Sequence, residues 1–183
     1  MVIELSTPLT RETAGKLKAG DTVNINGVVY AARDAAHKRM TALINDGTEL
    51  PFDIRDQIIY YVGPCPARPG KVIGSAGPTT SGRMDEYTPK LIEIGLTGMI
   101  GKGLRNDNVV TAMKKFGAVY FGTIGGAGAL IAKSIVREEM IAFPELGPEA
   151  IRKLTVKDFP VTVIIDSCGN NLYEIGRMKY KLI

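Results

Sequence analysis

Residues 77–85 read Gly-Pro-Thr-Thr-Ser-Gly-Arg-Met-Asp, and this run holds most of the chemistry that the sequence offers. Three hydroxyl side chains, Thr79, Thr80 and Ser81, stand between Gly77 and Gly82, and Arg83 follows directly. A strand, a glycine-rich turn and a helix in succession would bring backbone N–H groups, hydroxyls and the positive end of a helix dipole to one point. Such a point binds an anion, and the planar, permanently charged fork of Arg83 suits a carboxylate. The alternative is a turn with a purely structural role. The spacing Gly77-x-x-x-x-Gly82 is that of a phosphate-binding P-loop, but Arg83-Met84 stand where that motif needs Lys and then Ser or Thr. Without the lysine that reaches the terminal phosphates and the hydroxyl that holds magnesium, nucleotide hydrolysis is disfavoured.

Other residues invite a similar weighing. Lys102, between Gly101 and Gly103, follows an apolar strand candidate, at the edge where open parallel sheets bind ligands. It reads either as a solvated turn or as a ligand contact. Arg33-Asp34 reads as an exposed ion pair, with an active-site arginine as the lesser alternative. His37 sits beside Lys38 and Arg39, which disfavour its protonated form, so a solvated or capping histidine is preferred to a general base. The stretch Gly125-Gly126-Ala127-Gly128 does not complete a dinucleotide fingerprint, because Ile131 stands where its third glycine or alanine belongs. A flexible turn where backbone approaches a neighbour is the preferred reading.

At 183 residues and 45% hydrophobic content, the chain is sized for one domain spanning residues 1–183. Its 23 basic and 19 acidic side chains are scattered, which favours an anionic small molecule or acidic partner over nucleic acid. Two cysteines, Cys65 and Cys168, and one histidine exclude a zinc signature and are too few to hold an iron–sulfur cluster. Free thiols are preferred to a disulfide, and the Cys65 segment reads as structural. No stretch approaches the length of a membrane span, and the start lacks a signal-peptide pattern, so a cytoplasmic protein with no membrane contact is expected.

The elements that must position these residues follow from periodicity. Strands are expected at Val2–Leu5, Thr22–Tyr30 with a hairpin or bulge at Asn26-Gly27, Ile58–Val62, Lys71–Ala76, Leu96–Gly101, Ala118–Phe121 and Phe159–Asp166. Helices are expected at Pro8–Lys18 with Thr7 as its cap, Ala31–Ile44, Met84–Gly95 with Pro89 breaking or restarting its first turns, Asn106–Phe116 and Pro148–Leu154. Ala129–Phe143 fits strand or helix, and Leu172–Ile183 reads as a hairpin partner. Strand and helix alternate from Lys71 to Phe121, the pattern of an α/β unit with a mostly parallel central sheet.

Taken together, Ala32-Arg33-Asp34-x-Ala36-His37, Tyr61-Val62-Gly63-Pro64, the Gly77–Asp85 run and Gly101-Lys102-Gly103 are more specific than any motif alone. The combination resembles the class I fumarate hydratases, in particular the separate β subunit of the two-chain enzymes and the L-tartrate dehydratase β subunit. The resemblance covers essentially the whole chain. It implies a swivelling β/β/α domain, and a partner α subunit, with α2β2 assembly, whose three cysteines hold a 4Fe-4S cluster. This chain itself would ligate no metal. By the same resemblance Thr79 matches a proposed catalytic base, and Arg33, Arg83 and Lys102 match residues that hold substrate carboxylates. Gly77, Thr80, Ser81 and Gly82 form the supporting loop. The implied activity is reversible hydration of fumarate to (S)-malate at a site shared with the α subunit. The alternatives are an L-tartrate dehydratase β subunit and a non-catalytic dicarboxylate-binding or assembly domain.

Overall fold

The computed structural model describes residues 2–181. Seven strands run in the order β1-β2-β3-β4-β5-β7-β6, and an additional pairing of β2 with β7 closes the sheet into a small barrel. The strands are β1 (Val2–Ser6), β2 (Thr22–Ala31), β3 (Ile58–Tyr60), β4 (Gly98–Gly101), β5 (Val119–Gly122), β6 (Ile135–Ala142) and β7 (Ile151–Ile165). The helices are α1 (Arg11–Lys16), α2 (Asp34–Asn45), α3 (Thr88–Glu93), α4 (Asp107–Phe116), α5 (Gly128–Ile131) and α6 (Leu172–Tyr180). Pairings from β1 through β5 are parallel, whereas β7 runs antiparallel to β2, β5 and β6. The sheet is therefore partly rather than mostly parallel, because the long β7 enters from the opposite direction.

Both faces of the central strands are covered, which explains their unbroken apolar runs. Alternation sends Ile58, Tyr60 and Val62 into one core with Val23, Ile25, Phe121 and Phe159. It sends Ile59 and Tyr61 into a second core with Met40, Met84, Leu91, Met99 and Tyr120. The second core lies under α2, α3 and α4, and it carries the functional loops. Helix α4 has the termini its sequence specifies: Asn106 accepts from Val109 N, and Gly117 closes the helix at φ 76°.

Several expectations are corrected. Lys71–Ala76 forms no strand: it folds back on the proline-rich connector, where Cys65 N donates to Ser75 O at 2.9 Å and Gly74 N to Cys65 O at 3.2 Å. Its Ile73 and Ala76 still enter the first core. Met84–Gly95 is divided into a 3-10 turn at Ser81–Met84 and α3, with Pro89 in the first turn of the helix. Of the helix expected at Pro148–Leu154 only Pro148 and Glu149 are helical, as the end of a 3-10 helix that starts at Pro144, and β7 begins at Ile151. Ala129–Phe143 divides between the end of α5 and β6. The cap of α1 is Thr10, while Thr7 Oγ1 accepts from Val28 N at the bulge beside Gly27. Leu172–Tyr180 is helix α6 rather than a hairpin strand, capped by Asn171, and the end of that expected element, Leu182 and Ile183, lies outside the described residues. Among the described residues no helix is long and apolar enough to cross a membrane.

Candidate functional site

The Gly77–Asp85 run lies across the carboxyl ends of β3 and β4. Thr79 N donates to Tyr61 O at 2.8 Å, Thr80 bridges in parallel to Lys102, and Ser81 N donates to Lys102 O at 2.9 Å. This backbone stitching places Lys102 beside the hydroxyl cluster. Glycine is required at 101, since a Cβ there would stand 2.0 Å from Ser81 Oγ and 3.0 Å from the Tyr61 ring. Gly125 lies beside the Lys102 side chain, where an added Cβ would stand 3.6 Å from Cδ, and a Cβ at Gly128 would meet Ser75 Oγ at 2.4 Å and Gly77 N at 2.7 Å. The close backbone approach expected of that glycine stretch is thus present.

Thr79 is half-buried, and among the described residues its hydroxyl has no hydrogen-bond partner within the chain. Ser81 is buried, and its Oγ lies 2.9 Å from Tyr120 Oη, which itself donates to Gly103 O at 3.0 Å. The serine hydroxyl is therefore the donor to the tyrosine and is unavailable for chemistry. Burial pushes the Tyr120 phenol above its ordinary range, which keeps it a neutral donor.

Beneath the loop is a buried ion pair. Arg105 Nε donates to Asp85 Oδ1 at 2.7 Å, Nη2 to Thr88 Oγ1 at 2.9 Å, and Nη1 to Tyr61 Oη at 3.3 Å. The guanidinium lies between the rings of Tyr61 and Tyr120, 5.3 and 5.1 Å from their centroids. Burial opposes its charge, but Tyr61 and Asp85 outweigh that and hold its pKa above the ordinary arginine value. Asp85 Oδ2 also accepts from Asn106 N at 2.7 Å, so one carboxylate joins the end of the run to the start of α4.

Asp34 brings two of the expected clamp residues together. Arg83 Nη2 donates to Asp34 Oδ2, and Arg33 Nε faces Asp34 Oδ1 at 3.7 Å. Arg33 Nη2 stands 3.3 Å from Glu149 Oε1, and Glu149 Oε2 accepts from Ala35 N at 3.0 Å. Arg33 packs on Gly63, where a Cβ would meet its Nη1 at 2.7 Å. The pair expected to be exposed is thus largely enclosed, with side-chain exposures of 19% and 27%. Arg83 remains half-exposed and Lys102 exposed.

Two expectations at the site are corrected. No α-helix begins at the glycine turn, since α3 starts only at Thr88, so the helix dipole assigned to the anion loop is absent there. His37 is not solvated: it is fully buried, edge-on to Tyr61 at 5.3 Å between centroids, with Nδ1 2.8 Å from Arg33 O. Burial lowers its pKa to about 4, so it is neutral at pH 7 and a donor at Nδ1. Asp85 enters the sequence only as the end of the 77–85 run, and Arg105, Tyr120 and Glu149 carry no local signal. Each is an ordinary charged or aromatic residue until the fold shows its partner. Cys65 and Cys168 are free and exposed, and among the described residues no three His, Cys, Asp or Glu side chains cluster as metal ligands.

Residues 1–176 match the family model described as Fumarase C-terminus. The chain belongs to this family. It is 38% identical over 176 residues to "Fumarate hydratase 2" of Leishmania major, covering 94% of this chain and 31% of that protein. It is 37% identical to "Fumarate hydratase class I, aerobic" of Escherichia coli K12, covering 94% of this chain and 32% of the relative. With the "Putative L(+)-tartrate dehydratase subunit beta" of Methanocaldococcus jannaschii it shares 38% identity over 172 residues, 91% of this chain and 88% of the relative. The chain thus spans about a third of the length of these fumarate hydratases but most of the length of the β subunit.

Proposed function

We propose that this Fumarase C-terminus family chain is the β subunit of a hydro-lyase that interconverts fumarate and (S)-malate, at a site shared with a separate α subunit. The observation that carries the reading is the placement of Arg33, of Thr79 and Arg83 in their loop, and of Lys102 at the carboxyl ends of the neighbouring strands β2, β3 and β4, with Asp34 joining Arg33 to Arg83. A small dicarboxylate carries two like charges at its ends, and such a substrate is oriented by cations held at fixed positions. Arg83 and Lys102 offer those charges from two loops, and the Arg33 side chain stands behind Arg83 through Asp34. Thr79 stands in the same loop with its hydroxyl uncommitted; in the role of base it would first give its own proton to solvent, its alkoxide stabilised by the positive charge of Arg83, then take the proton from the carbon next to the hydroxyl-bearing carbon in dehydration and return it in hydration.

Relatives named fumarate hydratase match this chain over about a third of their length, and a relative named as a β subunit over 88% of its length. The α subunit would supply what the remaining length of the longer relatives supplies. The residues of this chain do not fit a 4Fe-4S cluster, since its two cysteines are exposed and belong to no metal-ligating group among the described residues. In this reading the cluster implied by the resemblance would be held by the α subunit, and the assembly would be α2β2. L-Tartrate is the second substrate reading, favoured by the 38% identity to the protein named "Putative L(+)-tartrate dehydratase subunit beta".

The test is coexpression with a cysteine-rich partner chain under anaerobic conditions, followed by loss of fumarate absorbance and by assays with (S)-malate and L-tartrate. Thr79→Ala is expected to lower turnover by at least about a hundredfold, the scale of a lost positioned acid–base group, and Arg83→Ala to lower it by at least about tenfold, the scale of a lost charge-assisted hydrogen bond. Unchanged turnover in both variants would remove the site assignment.

A further inference from the structure

We propose that Asp34 is the positioning residue of the carboxylate clamp, holding Arg33 and Arg83 side by side and leaving donors of Arg83 turned toward substrate. The inference rests on the functional reading above and adds to it a residue that binds no substrate.

Asp34 is the first residue of α2, a helix anchored by the buried side chains of Ala36, His37 and Met40. The preceding turn is tied down twice, because His37 N and His37 Nδ1 both donate to Arg33 O at 2.8 Å. Arg83 comes from a 3-10 turn 49 residues later, on a long, half-exposed side chain with many rotamers to lose. Two guanidiniums set side by side repel, and an arginine free to sweep through solvent presents its fork in no fixed direction. Asp34 answers both problems with one carboxylate: Oδ2 accepts from Arg83 Nη2, while Oδ1 faces Arg33 Nε at 3.7 Å. Glu149 holds the other side of Arg33.

The bond to Asp34 occupies only part of the Arg83 fork. Among the described residues Arg83 Nε and Nη1 have no partner, so these donors remain for a substrate carboxylate. If Asp34 were instead a competitor filling the fork until substrate displaces it, removing its charge would tighten binding. The two roles predict opposite signs.

The experiment uses the complex of this chain with its partner. Asp34→Asn is expected to raise KM for (S)-malate by about tenfold or more, the scale of one charge-assisted hydrogen bond, with a smaller fall in kcat. Calorimetry on the same complex, with succinate as the non-reacting probe, is expected to show a matching loss of affinity, and Asp34→Glu to recover part of both. The melting temperature should move by only a few degrees, since the Arg83 partner is half-exposed and Arg33 keeps its pair with Glu149. A lower KM, or an unchanged KM with unchanged succinate affinity, overturns the inference. Arg83→Ala separates this failure from that of the functional reading: if it leaves turnover intact the site itself is wrong, and if it lowers turnover while Asp34→Asn is silent, only the role of Asp34 is wrong.

Discussion

Replacing Arg105 by methionine removes a cation whose side chain is fully enclosed and strands Asp85, whose side chain is 9% exposed. The variant loses the 2.7 Å pair and the bonds to Thr88 and Tyr61, while Asp85 keeps a single donor, Asn106 N. Breaking a buried pair from one side costs about 3–5 kcal/mol, because the remaining charge is left desolvated without its partner. A native chain is stable by only about 5–15 kcal/mol, so the loss is a large share of the total. For a domain of this size each kcal/mol moves the midpoint by about 2–4 °C, which puts the expected fall at roughly 6–20 °C by circular dichroism. The companion is Asp85→Asn with Arg105→Met, which removes both charges and leaves an amide oxygen for Asn106 N. That double variant should melt above the single one, since no unpaired charge remains. A single variant melting within about 2 °C of the parent, or a double variant melting below the single, would refute the account of a buried pair holding the loops together.

Other expectations concern the same region. His37 is neutral when folded, with a pKa of about 4 against an ordinary 6.5, so the unfolded chain binds the extra proton first as pH falls. Its contribution to stability is fully present above about pH 6.5 and is lost between there and pH 4, up to roughly 3 kcal/mol. Urea melts at pH 7 and pH 5 should show the loss in the parent and a smaller one in His37→Gln. Gly128→Ala places a Cβ against the backbone N of Gly77, so it should destabilise by about 1–3 kcal/mol and weaken succinate binding by the complex. Adding Ser75→Ala to it relieves the side-chain contact but not the backbone one, and should restore only part of the melting temperature.

The sequence made some elements legible because their signals were local. Ile58–Val62 is apolar throughout, as a strand covered on both faces must be, and α4 carries its own cap and terminal glycine. The loop at Gly77–Asp85 and Lys102 stood out by residue type, and the fold stitches them together. What was not legible depends on distant pairing. Barrel closure joins Thr22 to Thr162 and Ala31 to Arg152, a register that no local window contains. His37 is buried rather than solvated although its neighbours are charged, because adjacent helical residues point in different directions: Lys38 and Arg39 are exposed while His37 turns inward. Asp34 was visible only as the neighbour of Arg33, because its link to Arg83 exists only once α2 and the loop meet.

Strand β7 has a consequence for how the protein is made. Its 15 residues pair with β2, β5 and β6, yet among the described strands it is the last to leave the ribosome. Until Ile151 and its successors emerge, β2 and β5 present unpaired edges, and every contact that closes the barrel spans more than a hundred residues for β2. Closing such distant contacts is slow, and open strand edges in the interval invite pairing with other chains. Synthesis interrupted before β7 should therefore yield aggregates rather than a smaller soluble domain.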